Sequence, residues 1–469
     1  MRHLSYTNSK MKHGLLLFLI AGFHFLGAQS TGAIKDGFGR ELILHGLNTS
    51  GSAKQDTAHM PWIKESDVDR EHTQFGFNTV RLLIFWGAIE PQEGIYDEHY
   101  LQQLKQRVNW YTSRHMYVIF DMHQDVYGYG VGDNGAPAWA GAHAIIKKLI
   151  PNKWPWWMKN LEPKVIKSYV HFFVYKKHKD LQQHYIACWQ KVVSLFNGNP
   201  YVIGYDLMNE PHGGKIIKTL AGGFERRQLS AMYKRLIPAI RAIDTTRYIF
   251  FEPRSFGVNF GMPSHLPKVA DAISNPRLVY SAHCYLKFVD IGGDYKPKHV
   301  KEMPHWFAVR DKELKIQQCP LMIGEFGLSP GKKDFDAYLR DLHRLADERK
   351  TSWAYWSNDH GGWSPLKSDN TATPILGELL RVYPQATAGS ILHYSYNPVQ
   401  KIFSMDFISD TAIHAPTEIA VPRLLFPNGY RLEVTGTNKW HTEVDSVANT
   451  LKLFVEDNGA HVVIKLWPG

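Results

Sequence analysis

Two glutamates stand where apolar runs end. Residues 201–211 begin as Tyr201-Val202-Ile203-Gly204-Tyr205 and finish in Asn209-Glu210-Pro211. Residues 320–327 repeat the design, with Leu321-Met322-Ile323-Gly324 running out at Glu325. Such a run reads as a buried strand, and a carboxylate at its end sits at the rim of a core. One glutamate in that position is as readily a solvated strand terminus. Two at a shared rim can act as acid and nucleophile, the minimum equipment for cleaving a glycosidic bond. Other apolar runs bring partners. Arg81 lies inside 78–84, His123 and Asp125 follow 116–121, and Asn209 precedes Glu210. His283 and Tyr285 follow 278–281, and Trp356 ends 351–356. Any one of these would be an ordinary satisfied core group. Together, on successive strands beside two glutamates, they form a constellation.

The positioning elements are legible in outline. Apolar or branched runs at 41–45, 78–84, 116–121, 201–209, 248–251, 278–281, 321–324 and 351–356 read as strands. Helical spacing marks 67–77, 97–115, 181–196, 224–243, 334–349 and 374–383. This alternation predicts an α/β fold, a (β/α)8 TIM barrel, in which Glu210 and Glu325 face one pocket from the C-terminal rim. From about residue 390 the pattern changes to short alternating strands, and Pro427-Asn428-Gly429 and Asn458-Gly459 read as hairpin turns. The expected division is a signal peptide over 1–30, a catalytic barrel over 31–388, and a small antiparallel β-sandwich over 389–469.

The signal peptide rests on Arg2, Lys10 and Lys12 ahead of the apolar run 15–26, followed by small residues at Gly27-Ala28. It predicts secretion. Cys188, Cys284 and Cys319 are too few and too poorly placed for a disulfide framework and are expected to be free, mostly buried thiols. The Cys and His spacing gives no metal set, so no metal and no cofactor is expected. Asn48-Thr49-Ser50 is a glycosylation sequon. The net charge of +10 is concentrated in residues 142–180, where nine lysines face Glu162 and Asp180. This stretch, a basic insertion near 141–180, also holds Trp154-Pro155-Trp156-Trp157. Tryptophans among lysines suit a membrane surface, although a solvated insertion with a few buried rings would look the same. No nucleic-acid module accompanies the charge.

The motifs Val80-Arg81-Leu82, Met122-His123, Asn209-Glu210-Pro211, His283-Cys284-Tyr285, Glu325-Phe326-Gly327 and Trp356 resemble the active-site set of glycoside hydrolase family 5. Asp121-Met122-His123-Gln124-Asp125-Val126-Tyr127 with Gly135-Ala136-Pro137-Ala138-Trp139 is similar to the endoglycoceramidase branch, whose members cut between oligosaccharide and ceramide. The resemblance implies retaining hydrolysis, with Glu210 as acid and base and Glu325 as nucleophile. It implies that Arg81 and Tyr285 hold Glu325 and that His283 supports Glu210. Asn209 would bind the sugar 2-hydroxyl, Trp356 would floor the sugar, and His123, Asp125 and Lys54 would bind its other hydroxyls. The resemblance implies a glycolipid partner and supports the lipid surface suggested by the basic insertion; the protein is expected to be a monomer. Two other readings stay open: a relative acting on soluble β-glucans or alkyl glycosides, and a non-catalytic glycolipid-binding protein.

Overall fold

In a closed parallel barrel, side chains alternate along each strand between the interior and the surrounding helices. The computed structural model describes residues 32–469 apart from 50–51, 57, 143–148, 152–155, 288, 290–292 and 360–362. Its barrel strands are His45–Asn48 (β1), Thr79–Ile84 (β2), Tyr117–Met122 (β3), Val202–Asp206 (β4), Tyr248–Phe251 (β5), Leu278–Ala282 (β6), Leu321–Ile323 (β7) and Ser352–Tyr355 (β8), closed by pairing of β8 with β1. Ile119, Ile203, Tyr248, Phe250, Val279, Met322 and Ala354 form an apolar plug inside the barrel's lower half. Val80, Leu82, Val118, Phe120, Ile249, Phe251 and Tyr280 take the opposite parity and join the larger core with the helices. Two residues above the plug the inward positions turn polar: Asp121 follows Ile119, Glu252 follows Phe250, and Ser281 and His283 follow Val279. The two-residue period of a strand therefore lifts each chemical group to the same rim.

The run at 41–45 divides. His45 opens β1, whereas Glu41–Leu42 pairs with Ile34–Lys35 and with Tyr383–Thr387 (β9) in a different sheet. Ile34, Leu42 and Ala386 thereby close the apolar floor of the barrel. The helix expected over 374–383 stops at Leu379, because Tyr383 begins β9. Helix His299–Gln317 has no counterpart in the sequence reading. Its buried side chains include Arg310, Glu313 and Gln317, which blur the apolar spacing by which helices are recognised.

Beyond β9 come Gly389–Asn397 (β10), Ile402–Ser409 (β11), Thr417–Ala420 (β12), Tyr430–Thr435 (β13), Trp440–Asp445 (β14), Thr450–Val455 (β15) and His461–Pro468 (β16). One antiparallel sheet runs Ile34–Lys35, Glu41–Leu42, β9, β12, β15, β14, and the other runs β10, β11, β16, β13. The two Gly-bearing turns are not hairpins. Gly429 (φ 84°) and Gly459 (φ 70°) carry the chain from one sheet to the other. The hairpins join β10 to β11 and β14 to β15, where Lys401 and Asn449 take the positive φ instead. The sequon reading also fails. The Asn48 side chain is fully buried, and its amide nitrogen donates to the carbonyls of Gly324 and Ala354, so no oligosaccharyl group could be attached without dismantling the barrel rim.

Where barrel and sandwich meet, His45 stacks on Trp353 (ring centroids 4.2 Å apart) and against Tyr383, and His343 stacks on the same indole at 5.0 Å. Both imidazoles are buried, and burial, aided by the Arg381 cation, holds them well below the usual histidine value. They stay neutral when folded, while an unfolded chain protonates them below about pH 6.5, so their contribution to stability is full above that pH and is lost as pH falls. Replacing His343 by Phe is expected to flatten the fall in thermal midpoint on going from about pH 7 to pH 5, removing roughly 1.4 kcal/mol of sensitivity per pH unit. Melting curves across pH for both proteins check it.

Cys188, Cys284 and Cys319 are all buried thiols, and none of them forms a disulfide. Among the described residues, no helix is long and apolar enough to cross a membrane. The first 31 residues, with the expected signal peptide, lie outside the described residues, as do Trp154 and Pro155 of the basic insertion.

Candidate active site

Arg81 points inward from β2 and is fully buried. Its guanidinium lies 3.0 Å from Asp121 Oδ2, 3.0 Å from Asp206 Oδ2, 2.9 Å from Glu252 Oε1 and 2.9 Å from Glu325 Oε1. It also donates to the amide oxygens of Asn48 and Asn209 at 3.0 and 3.1 Å. A planar fork of five N–H groups can meet this many acceptors at fixed angles; a lysine could not. Burial pushes Asp206 and Glu252 above the ordinary carboxylate range despite Arg81 and His283.

Glu325 is held at both oxygens. Arg81 reaches Oε1, and the Tyr285 hydroxyl donates to Oε2 at 3.0 Å. Glu210 is held differently. Its Oε1 accepts from Asn259 Nδ2 at 2.6 Å and meets His283 Nδ1 at 3.0 Å, while Oε2 has no partner among the described residues. Glu210 adopts a left-handed φ of 45°, unusual for a residue with a Cβ. Its backbone N–H donates to Glu252 Oε2, and the Gln124 amide donates to the carbonyls of Asn209 and Glu210. These bonds fix the strained turn and hence the direction of the carboxyl. His283 connects the two glutamates: its Nδ1 is 3.0 Å from Glu210 and 3.6 Å from Glu325, and its Nε2 is 3.2 Å from Glu252. Burial opposes charge on this ring, but Glu252, Glu325 and the bond to Glu210 outweigh it and lift the imidazole well above its usual value. Burial also pushes the Glu210 carboxyl up, and the bond to a charged His283 more than offsets that, holding it below the ordinary range.

A second group borders the pocket. Lys54 Nζ pairs with Asp125 Oδ2 at 2.6 Å and lies 4.1 Å from the centre of the Trp356 ring. Burial would raise Asp125, but the Lys54 ammonium overrides it and drives the carboxyl far below its usual range. His123 stacks on Trp356 at 5.6 Å, with Nδ1 2.7 Å from Asp121 and Nε2 3.5 Å from both Asp125 and Asn209. The loop carrying Asp125 is braced by Tyr169, on helix Pro163–Phe173 of the basic insertion, whose hydroxyl donates to Gln124 Oε1 and accepts from Tyr127 N–H. All ten residues singled out in the sequence therefore converge here. Sequence reasoning missed Asn48, Asp206, Glu252 and Asn259 and gave Asp121 no task. Phe250-Phe251-Glu252-Pro253 repeats the design of Asn209-Glu210-Pro211, so Glu252 was within reach of the same rule.

Two residue sets, Asp121 with His123 and Glu325, and Glu210 with His283 and Glu325, bring ligand-type atoms within 4.8 Å of one another. Both share Glu325, whose charge already meets the Arg81 guanidinium, so a dication would have to compete with a buried protein cation. The same 4.8 Å bound brings Glu210 and Glu325 oxygens too close for a water to attack from between them. Inverting enzymes leave that room, and retaining enzymes do not.

Two close carboxylates on a parallel barrel, one gripped by Arg and Tyr and the other by His and Asn, define a retaining glycoside hydrolase. The chain belongs to glycoside hydrolase family 5: the family described as Cellulase (glycosyl hydrolase family 5) matches residues 36–362, and the Glycoside hydrolase family 5 C-terminal domain matches 381–466. Endoglycoceramidase I of Rhodococcus hoagii is 31% identical over 422 residues, covering 86% of this chain and 80% of its own. The structure of endo-glycoceramidase II from Rhodococcus sp. in a ganglioside GM3 complex superposes with a TM-score of 0.86 at 32% identity, covering 93% of this chain and 99% of that one. Its lactosyl-enzyme intermediate superposes at 0.85, with 32% identity and coverage of 93% and 100%.

Proposed function

We propose that this retaining hydrolase cleaves the β-glycosidic bond between the oligosaccharide and the ceramide of glycosphingolipids. The observation that carries the reading is the paired environment of Glu210 and Glu325, set in a chain related along most of its length to endoglycoceramidases. Glu325, with both oxygens engaged as acceptors, attacks the anomeric carbon. As that bond forms, the bond to the ceramide oxygen breaks and the oxygen takes a proton from Glu210. The proton is stored on His283 Nδ1 and reaches Glu210 Oε1 across their 3.0 Å contact as the sugar displaces water and disfavours the ion pair. In the second step Glu210 deprotonates a water that attacks the glycosyl-enzyme, Glu325 leaves, and the β configuration is restored. Asn209 binds the 2-hydroxyl, Trp356 floors the sugar, and Lys54, His123 and Asp125 hold the remaining hydroxyls. The enzyme is exported through its N-terminal signal, works as a monomer, and meets its substrate at a lipid surface aided by the basic insertion near 141–180.

The test is hydrolysis of a fluorescent-ceramide glycolipid beside an aryl β-glucoside and a soluble β-glucan, with and without detergent. Intact glycan and free ceramide are expected. Turnover of the soluble substrates alone would make this a family 5 enzyme of soluble glycans. Tight glycolipid binding without turnover would make it a binding protein.

A further inference from the structure

The acid that protonates a leaving group stands on the leaving group's side of the scissile bond. If the leaving group is ceramide, as the proposed function has it, the loops that hold Glu210 are the loops that face lipid. The loop after β5 is joined to Glu210 directly, through Asn259 and through Ser255, whose hydroxyl donates to the Glu210 carbonyl at 3.4 Å. The next residues along it, Phe260 and Met262, are exposed. Arg310 fastens the underside of this loop, donating to the carbonyls of Val258 and Met262 at 2.9 and 2.7 Å. The loop thus presents apolar side chains outward on a fixed base.

The loop after β4 lies alongside. A Cβ added to Gly257 would meet both Met262 and Leu220, so the two loops are in contact. Its short helix Ile216–Leu220 carries Ile217, 85% exposed, with exposed Lys215 and Lys218 on either side. On helix His299–Gln317, which bears Arg310, Val300 is 47% exposed beside Lys301. Residues 211–224, 253–270 and 295–301 contain six lysines and no Asp or Glu. Single exposed apolar residues are common and mean little. Ile217, Phe260 and Met262 are another matter, because they lie on two contacting loops tied to the acid, with Lys215 and Lys218 beside Ile217.

We propose that the loops after β4 and β5, with the start of helix His299–Gln317, form a docking face for an anionic lipid surface. Ile217, Phe260 and Met262 enter the acyl boundary while Lys215 and Lys218 keep their ammonium groups among the headgroups. Docking then delivers the ceramide end of the substrate to the Glu210 side of the pocket.

Co-sedimentation with phosphatidylcholine vesicles, with and without phosphatidylserine, reads docking without any turnover. The intact protein is expected to bind the mixed vesicles, more weakly as salt is raised. Lys215→Glu with Lys218→Glu, and separately Ile217→Ser, should each weaken binding about tenfold or more. Both variants should slow hydrolysis of vesicle-embedded glycolipid in proportion while hydrolysing an aryl glycoside at the unaltered rate, which also shows that they fold. Vesicle binding unchanged by these substitutions, or no vesicle binding by the intact protein, would overturn the proposal whatever the substrate. So would a dimer in sedimentation velocity that Ile217→Ser dissociates, since a second copy would then cover the face. Charge- and Ile217-dependent binding without ceramide release would uphold docking and sink only the assigned substrate.

Discussion

Replacing Glu325 by Gln is expected to lower kcat on a ceramide glycoside by about 10⁴-fold or more, since no covalent intermediate can form. The fold should survive, because the amide oxygen can keep the Arg81 contact at 2.9 Å and only the bond from Tyr285 is exchanged. Glu210→Gln should cost about 10²- to 10⁴-fold on the same substrate, the worth of a general acid and base. The two are told apart with a dinitrophenyl glycoside, whose leaving group departs without a proton. Glu210→Gln should then give a burst of phenolate followed by slow turnover, because Glu325 still attacks while no base activates the second water. The glycosyl group would be found on Glu325 by peptide mass. Glu325→Gln should give no burst. A burst in Glu325→Gln, or near-normal rates in either variant, would reverse or remove the assignment.

The rim residues were legible because a carboxylate, imidazole or guanidinium in an apolar run breaks a pattern that is otherwise continuous. Glu210, Glu325, Arg81 and His283 all announce themselves in that way. Asp121 and Asp206 break it too, but each sits next to a stronger motif, and only counting inward positions by twos from Ile119 shows that Asp121 must enter the barrel. Asn48 was obscured by the sequon it happens to begin. Asn259 lies in an irregular loop, and nothing local says that it reaches Glu210 from 49 positions away.

The fold was read best where periodicity is strong and worst where chain segments change sheets. Eight strands and a rim follow from alternation alone. That residues 34–42 leave the barrel and close its floor depends on pairing with Tyr383–Thr387, a contact between distant parts of the sequence. The same holds for Gly429 and Gly459. Asn-Gly and Asp-Asn-Gly text specifies a positive φ, which both turns have, but not whether the next strand pairs with the last one.

Arg81→Met is expected to be the most damaging single change to stability, at about 3–5 kcal/mol, because it leaves buried carboxylates without their cation. Asp121, Asp206, Glu252 and Glu325 all face this one guanidinium, with the imidazoles of His283 and His123 beside them. Burial of four carboxyl groups around one guanidinium displaces Asp206 and Glu252 upward, which biases the cluster toward holding a proton. The consequence is an asymmetry among the variants. Asp206→Asn replaces a group already biased toward its neutral form and should cost far less than Arg81→Met. Arg81→Lys keeps the charge but loses the fork, so it should fold while losing the alignment of Glu325 and much of the activity. Urea titration by circular dichroism orders the three, with Arg81→Met weakest and Asp206→Asn nearest the parent. Equal destabilisation by Asp206→Asn and Arg81→Met would mean that Asp206 is fully ionised in the fold and that the proton resides elsewhere. Retention of parental stability by Arg81→Met would mean that the carboxylates can neutralise themselves, and the guanidinium would then serve only to aim Glu325.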